Sequence, residues 1–166
     1  MGPVAWILLA RRLSSEQAAY LETTLRGADR AYRSLNDFHV WSTRHIGGTF
    51  QAVESAEASP FIAAIGMPGL ETEEIEALKR AFGFPPVAVI ELIAMCNARH
   101  DHRVLGELAL HFAECFNGVI DFCGDLGIQT MPQARLVNIG RGNPRHVGDA
   151  KFLKSWLRDE RFFMVK

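Results

Sequence analysis

The chain of 166 residues is 48% hydrophobic and 22% charged, with eleven Phe, three Trp and two Tyr. At roughly 100–200 residues per domain, that is one domain with the apolar mass for a sizeable core, which excludes a wholly disordered chain and a small disulfide scaffold. A formal net charge of -1 disfavours a strongly basic nucleic-acid binder.

Residues 3–10 form a continuous apolar run that predicts a strand buried on both faces. The arginines follow this run, no small-residue cleavage site is present, and the run is too short to span a membrane. Trp6 stands where a myristoylation motif needs Ser or Thr. The expectation is a reduced, cytoplasmic protein with no membrane partner. Ser14 and Gln17 have the spacing of a capping box. The helix they open carries Ala18, Leu21, Leu25, Ala28 and Tyr32 on one stripe.

Residues 37–43 alternate, with Phe38, Val40 and Ser42 on one side and His39, Trp41 and Thr43 on the other. Gly47-Gly48 predicts a turn and residues 49–53 the returning strand of a hairpin. Residues 54–59 read as a loop, and 61–65 as a short apolar run closed by Gly66-Met67-Pro68-Gly69. The next helix begins with Glu71, Glu73, Glu74 and Glu76 and ends with Lys79 and Arg80, a charge order that complements the helix dipole. Ile75, Leu78 and Phe82 form its buried face, and Gly83 is its stop.

Residues 87–96 predict a long central strand whose one charge is Glu91. Asp101 or His100 starts a helix carrying Val104, Leu105, Leu108, Ala109, Phe112, Cys115 and Phe116 on one face, ended by Asn117-Gly118. Residues 119–123 follow as a strand, 124–131 as a loop, 134–139 as an edge strand and 141–148 as a polar loop. Asp149 caps a last helix that buries Phe152, Leu153, Trp156 and Leu157, and residues 162–165 are pinned to the core. This order predicts a single-domain α+β sandwich: a mixed, mainly antiparallel sheet with helices mostly on one face. The part through Cys96 has the element order of a ferredoxin-like split βαβ unit.

Charge is segregated. Residues 46–84 carry six glutamates against Lys79 and Arg80, whereas residues 126–166 carry eight bases against three acids. Such faces are either plainly solvated or complementary to a partner.

Candidate chemistry is sparse. His100-Asp101-His102 is the densest polar cluster. It reads as a helix cap at Asp101, with a metal or proton-transfer site as the alternative, and His111 on the same helix is too far along to complete it. Cys96, Cys115 and Cys123 sit among apolar neighbours and read as buried free thiols. A nucleophilic pair would take Cys96 or Cys123 with His100 or His102. Glu91 and Asp121 lie inside apolar strands, so each either faces solvent or is held by Arg or His. Asp121 is the stronger functional candidate, because the preceding helix brings His111 and Glu107 near it in sequence. Residues 140–146 form a basic, Gly-containing loop that reads as surface or as an anion cradle. No cofactor and no metal is expected.

Four stretches together are similar to a known group: FGFPP at 82–86, IAMCNARHDH at 93–102, LGELALHFAECFNGVIDFCGDL at 105–126 and FLKSWLRDERFFMVK at 152–166. They resemble an uncharacterised bacterial family of about this length, known only as a domain of unknown function. The layout is also similar to small α+β immunity proteins of polymorphic toxin systems. The resemblance implies a cytoplasmic protein that neutralises a cognate toxin by binding it.

The leading expectation is therefore a stoichiometric, immunity-type binding module. Its candidate contact residues are Trp41, Met67, Glu73, Glu74, Arg141 and Arg145. The alternative is a small hydrolase-type enzyme using Asp121 with His100, His102 or Cys96, and a third reading is a homo-oligomeric regulatory protein, such as a homodimer. An enzyme requires two or more of those polar groups around one point in a pocket. A binding module leaves them scattered or capped.

Overall fold

The computed structural model describes residues 2–29, 32–43, 54–128, 134–140 and 143–165. The expected turn at Gly47-Gly48, the strand at 49–53 and Arg141 lie outside the described residues. The elements run β1 (Val4–Leu9), α1 (Ser15–Ala28), β2 (Phe38–Ser42), β3 (Glu54–Gly66), α2 (Thr72–Phe82), β4 (Ala88–Ala94), α3 (Arg99–Phe116), β5 (Val119–Asp121), β6 (Leu136–Asn138), β7 (His146–Gly148) and α4 (Ala150–Trp156).

The strands form one sheet in the order β2-β3-β4-β1-β5-β7-β6. Every strand pair among the described residues is antiparallel, so the parallel component of the expected mixed sheet is not seen between neighbours. A ferredoxin-like first part would seat β1 beside β3, but β4 lies between them. The split βαβ unit occurs later in the chain: β4 and β5, joined through α3, flank β1 and pair with it on its two sides. The apolar run of β1 is explained by this position. It is paired on both edges and covered on both faces.

Alternation along the strands sorts two cores. Ala5, Ile7 and Leu9 of β1 and Ile90 and Leu92 of β4 face a large cluster completed by α1, α3 and α4. Leu8 and Val89 face the opposite side, where α2 covers them with Leu78. Each buried Leu, Ile or Phe contributes about 1.5–3 kcal/mol relative to exposure. Three helices thus share one face, as the pattern predicts, and α2 holds the other alone.

Local signals hold at the helix ends. The Ser14 hydroxyl accepts the Gln17 N–H at 3.2 Å and Gln17 Oε1 accepts the Ser14 N–H at 3.0 Å. Gly83, at φ 87°, closes α2 in the left-handed conformation that favours glycine. Asn117, at φ 53°, does the same for α3. Asp149 Oδ1 accepts the Phe152 N–H at 2.7 Å. The last residues are pinned, with Val165 O accepting the Val4 N–H at 3.2 Å and Met164 fully buried.

Two segments differ from the sequence reading. Residues 54–59 are the first half of β3, not a loop. Pro60 sits near the point where β3 passes from pairing with β2 to pairing with β4, and its carbonyl accepts the Met95 N–H at 2.9 Å. Residues 146–148, read as polar loop, are the buried strand β7. It lies between β5 and β6, and these neighbours supply the pairing that its own short sequence does not announce.

Candidate functional site

On the α2 side of the sheet, register aligns Glu91, Trp6, Asp121 and Val147 in one row across β4, β1, β5 and β7. Directly paired residues share a face. Ile120 points to the α3 core, so Asp121 points to α2 and is completely buried. A carboxylate there needs partners. Its Oδ1 accepts the Cys123 N–H at 2.8 Å, and its Oδ2 lies 2.6 Å from Arg145 Nη2.

Arg145 enters from the residue preceding β7. Asn138 Oδ1 fixes its backbone by accepting the N–H of Arg145 at 3.0 Å and of Gly140 at 3.1 Å. Its guanidinium carbon lies 4.9 Å from the centre of the Trp6 ring, and its Nη1 is 3.7 Å from Glu74 Oε1 on α2. One guanidinium therefore joins β5, β7 and α2 and covers β1's indole. Arg suits this role, being a planar cation that stacks and bridges at once.

Burial pushes the Asp121 carboxyl above its ordinary range, although Arg145 and the Cys123 N–H pull it back part of the way. The Cys123 thiol is pushed far up by burial and by the adjacent Asp121 charge. The Cys123 thiol is therefore not primed as a nucleophile. With Arg145 filling the space against Asp121, the cluster works as a clamp.

Above the clamp lies a cleft of about 360 Å³. Glu71, Glu73 and Glu74 of the α2 start line it with Ala77 and Arg80, and Asn138 and Ile139 form the opposite wall. The acidic residues sit here because the helix N-terminus favours them. Glu74 Oε2 accepts the Glu71 N–H at 2.9 Å.

The remaining sequence-selected residues lie elsewhere. Trp41 is half-buried on the edge strand β2, at an irregularity in register between Val40 and Ser42. Met67 is 72% exposed just after β3, and Arg12 Nη2 approaches its sulfur at 3.7 Å. α3 starts at Arg99, ahead of the expected His100 or Asp101, and Asp101 secures that start from its third position: its Oδ2 accepts the Ala98 N–H at 2.7 Å, and its Oδ1 is 3.2 Å from His100 Nε2. His102 turns away from it. Its Nδ1 accepts the Met164 N–H at 3.0 Å, so its Nε2 carries the proton facing Asn97 Oδ1 at 3.1 Å. The two histidines diverge, as the spacing predicts.

His100 lines a separate cleft of about 470 Å³ with Arg99, Arg103, Asp159 and Phe162. Among the described residues, no group of three or more His, Cys, Asp or Glu is placed to hold a metal ion. No helix among them is long and apolar enough to cross a membrane.

Three expectations need correction. His111 and Glu107 do not approach Asp121, because α3 packs on the other face of the sheet. Glu107 instead pairs with Arg103 at 3.5 Å. Cys96 and Cys115 are exposed rather than buried: Cys96 lies beyond the end of β4, and Cys115 is on the solvent side of the last turn of α3. The cysteine that meets a histidine is Cys115, with His111 at 3.6 Å. Trp6 gives no site signal in the sequence because it sits in an apolar run, although its parity with Ala5 and Ile7 sends it to the opposite face. The i,i+4 spacing of His111 and Cys115 was a readable signal.

The fold and its sites define an α+β protein with an antiparallel sheet, an internal ion clamp and an acidic cleft. The chain belongs to a family of unknown function, DUF6368, whose model matches residues 1–166. No curated protein and no solved structure matches it.

Proposed function

We propose that this protein is a stoichiometric binding module of the immunity type, acting in the cytoplasm on a cognate bacterial toxin. The basic surface of that toxin seats against the acidic cleft beside α2. What carries this reading is the convergence of Glu71, Glu73 and Glu74 on one concave wall, rigidly backed by the Arg145 clamp. The candidate catalytic groups support it indirectly. Asp121 is sealed by Arg145, Asp101 secures a helix start and His102 is held by Asn97 and Met164. A preorganised acidic surface accelerates docking of a basic partner and limits the entropy lost on binding.

The test is co-expression with the product of the neighbouring gene, reading growth and complex formation. The wild type and a His100→Ala variant restore growth and co-elute with the partner. A Glu71→Lys, Glu73→Lys variant stays folded, loses the complex and loses rescue. Undiminished rescue by the charge-reversed variant, or rescue without a complex, overturns the proposal.

A further inference from the structure

On the face away from the acidic cleft, α1 and α3 bring a thiol, an imidazole and a phenol together. His111 and Cys115 are one turn apart on α3, with Cys115 Sγ 3.6 Å from His111 Nε2. Tyr20 of α1 places its hydroxyl 3.2 Å from that same Nε2 and 3.7 Å from the sulfur. Its ring stacks on the imidazole, with centres 6.1 Å apart, and meets Phe116 edge-on at 6.2 Å. The imidazole is thus held in place, and Cys115 is open to solvent.

Cys115 also lines a cleft of about 640 Å³ that runs to the end of β1. Arg11 and Arg12 lie on its wall, with Ser14, Phe116 and Asn117 around them. Both arginines are exposed. The carbonyl end of α3 is unfavourable to an anion, a penalty that the base beside the sulfur and the two cations lining the same cleft offset. His111 can take the thiol proton, and Arg11 and Arg12 can draw a carboxylate-bearing molecule to the sulfur.

We infer that Cys115 is a thiol–disulfide exchange site that accepts small disulfides carrying carboxylates. The Cys115 proton passes to His111 Nε2, and the thiolate attacks one sulfur of the disulfide. That S–S bond breaks as the new mixed disulfide forms, and the departing thiolate takes the proton back from His111. Cys115 is oxidised to the mixed disulfide, and the released half is reduced to a free thiol.

The chain carries its own controls. Cys96 is equally an exposed free thiol but lies at the end of β4, outside this cleft. The experiment treats the full-length reduced protein with oxidised glutathione, which is anionic, or with cystamine, which is cationic, and follows each cysteine by peptide mass mapping. Cys115 is expected to react about tenfold faster than Cys96 with oxidised glutathione. In an Arg11→Gln, Arg12→Gln variant Cys115 slows with oxidised glutathione and does not slow with cystamine. A His111→Gln variant slows Cys115 with both reagents. These side chains are at the surface, and circular dichroism checks that each variant is folded. Parity of Cys115 with Cys96 in the wild type, or a rate of Cys115 with oxidised glutathione that removal of both arginines leaves unchanged, overturns the inference.

Discussion

Arg145 and Asp121 meet at 2.6 Å, joining the residue that leads into β7 to the buried end of β5. Asp121 is fully buried while Arg145 retains some exposure, so the cost of separating them falls on the carboxylate. Arg145→Ala is expected to destabilise the fold by about 3–5 kcal/mol, because it strands a buried charge. Asp121→Asn in that background should recover much of the loss. Denaturant unfolding of the two single variants and the double variant measures the coupling; simply additive losses would deny the pair its role.

Glu107 gives a pH prediction with a definite sign. Burial raises its carboxyl above the ordinary value, and Arg103 offsets only part of the rise. The fold therefore holds that proton more tightly than the unfolded chain does. This contribution is fully present below the ordinary carboxylate pKa and is lost as pH rises through the raised value. Glu107→Gln should raise Tm at neutral pH, with the difference closing as the solution is acidified. Thermal melts across the acid range decide it, and an unchanged or lowered Tm at neutral pH would contradict it.

Ser14 begins α1 with a reciprocal pair of hydrogen bonds to Gln17. Ser14→Ala should cost about 1 kcal/mol, or about 2–4 °C in Tm for a chain of this size. The measurement is a melt beside the wild type, with Ser14→Asp as the substitution that restores the cap.

Ending the chain at Arg161 removes Met164, which is fully buried, and Phe163, whose carbonyl accepts the Trp156 indole N–H at 3.0 Å. Lost burial and an orphaned donor together predict at least about 3 kcal/mol of destabilisation. The denaturant midpoint of the truncated chain reports it; a midpoint equal to the wild type's would mean that the tail is dispensable.

How far the sequence discloses this fold depends on where each signal resides. The Ser14–Gln17 box, the acid-to-base order of α2, the Asn117 stop and the Asp149 cap all act within a single helix or its ends, and each is legible. The first half of β3 is not, since Pro60 argues locally for a break and only pairing with β2 makes the segment a strand. β7 is three residues long and polar at its start, so its identity comes from β5 and β6. The clamp was half legible. Asp121 in an apolar strand implies either a solvent-facing position or a partner Arg or His, but which of these holds, and on which face, depends on register across three strands. The exposure of Cys115 was masked by its apolar neighbours Phe112 and Phe116, which turn inward while the thiol looks outward.

β1 precedes all the strands of the sheet, yet its own pairing partners follow only after a long stretch of chain: they are β4 and β5, and the carbonyl that receives the Val4 N–H belongs to Val165. A nascent chain on the ribosome therefore holds β1 unpaired until β4 and β5 have been made. Long-range pairing of this kind slows folding and leaves apolar surface open to aggregation in the interval. Cells producing this protein quickly, without chaperones to shield that opening segment, should accumulate it in inclusion bodies.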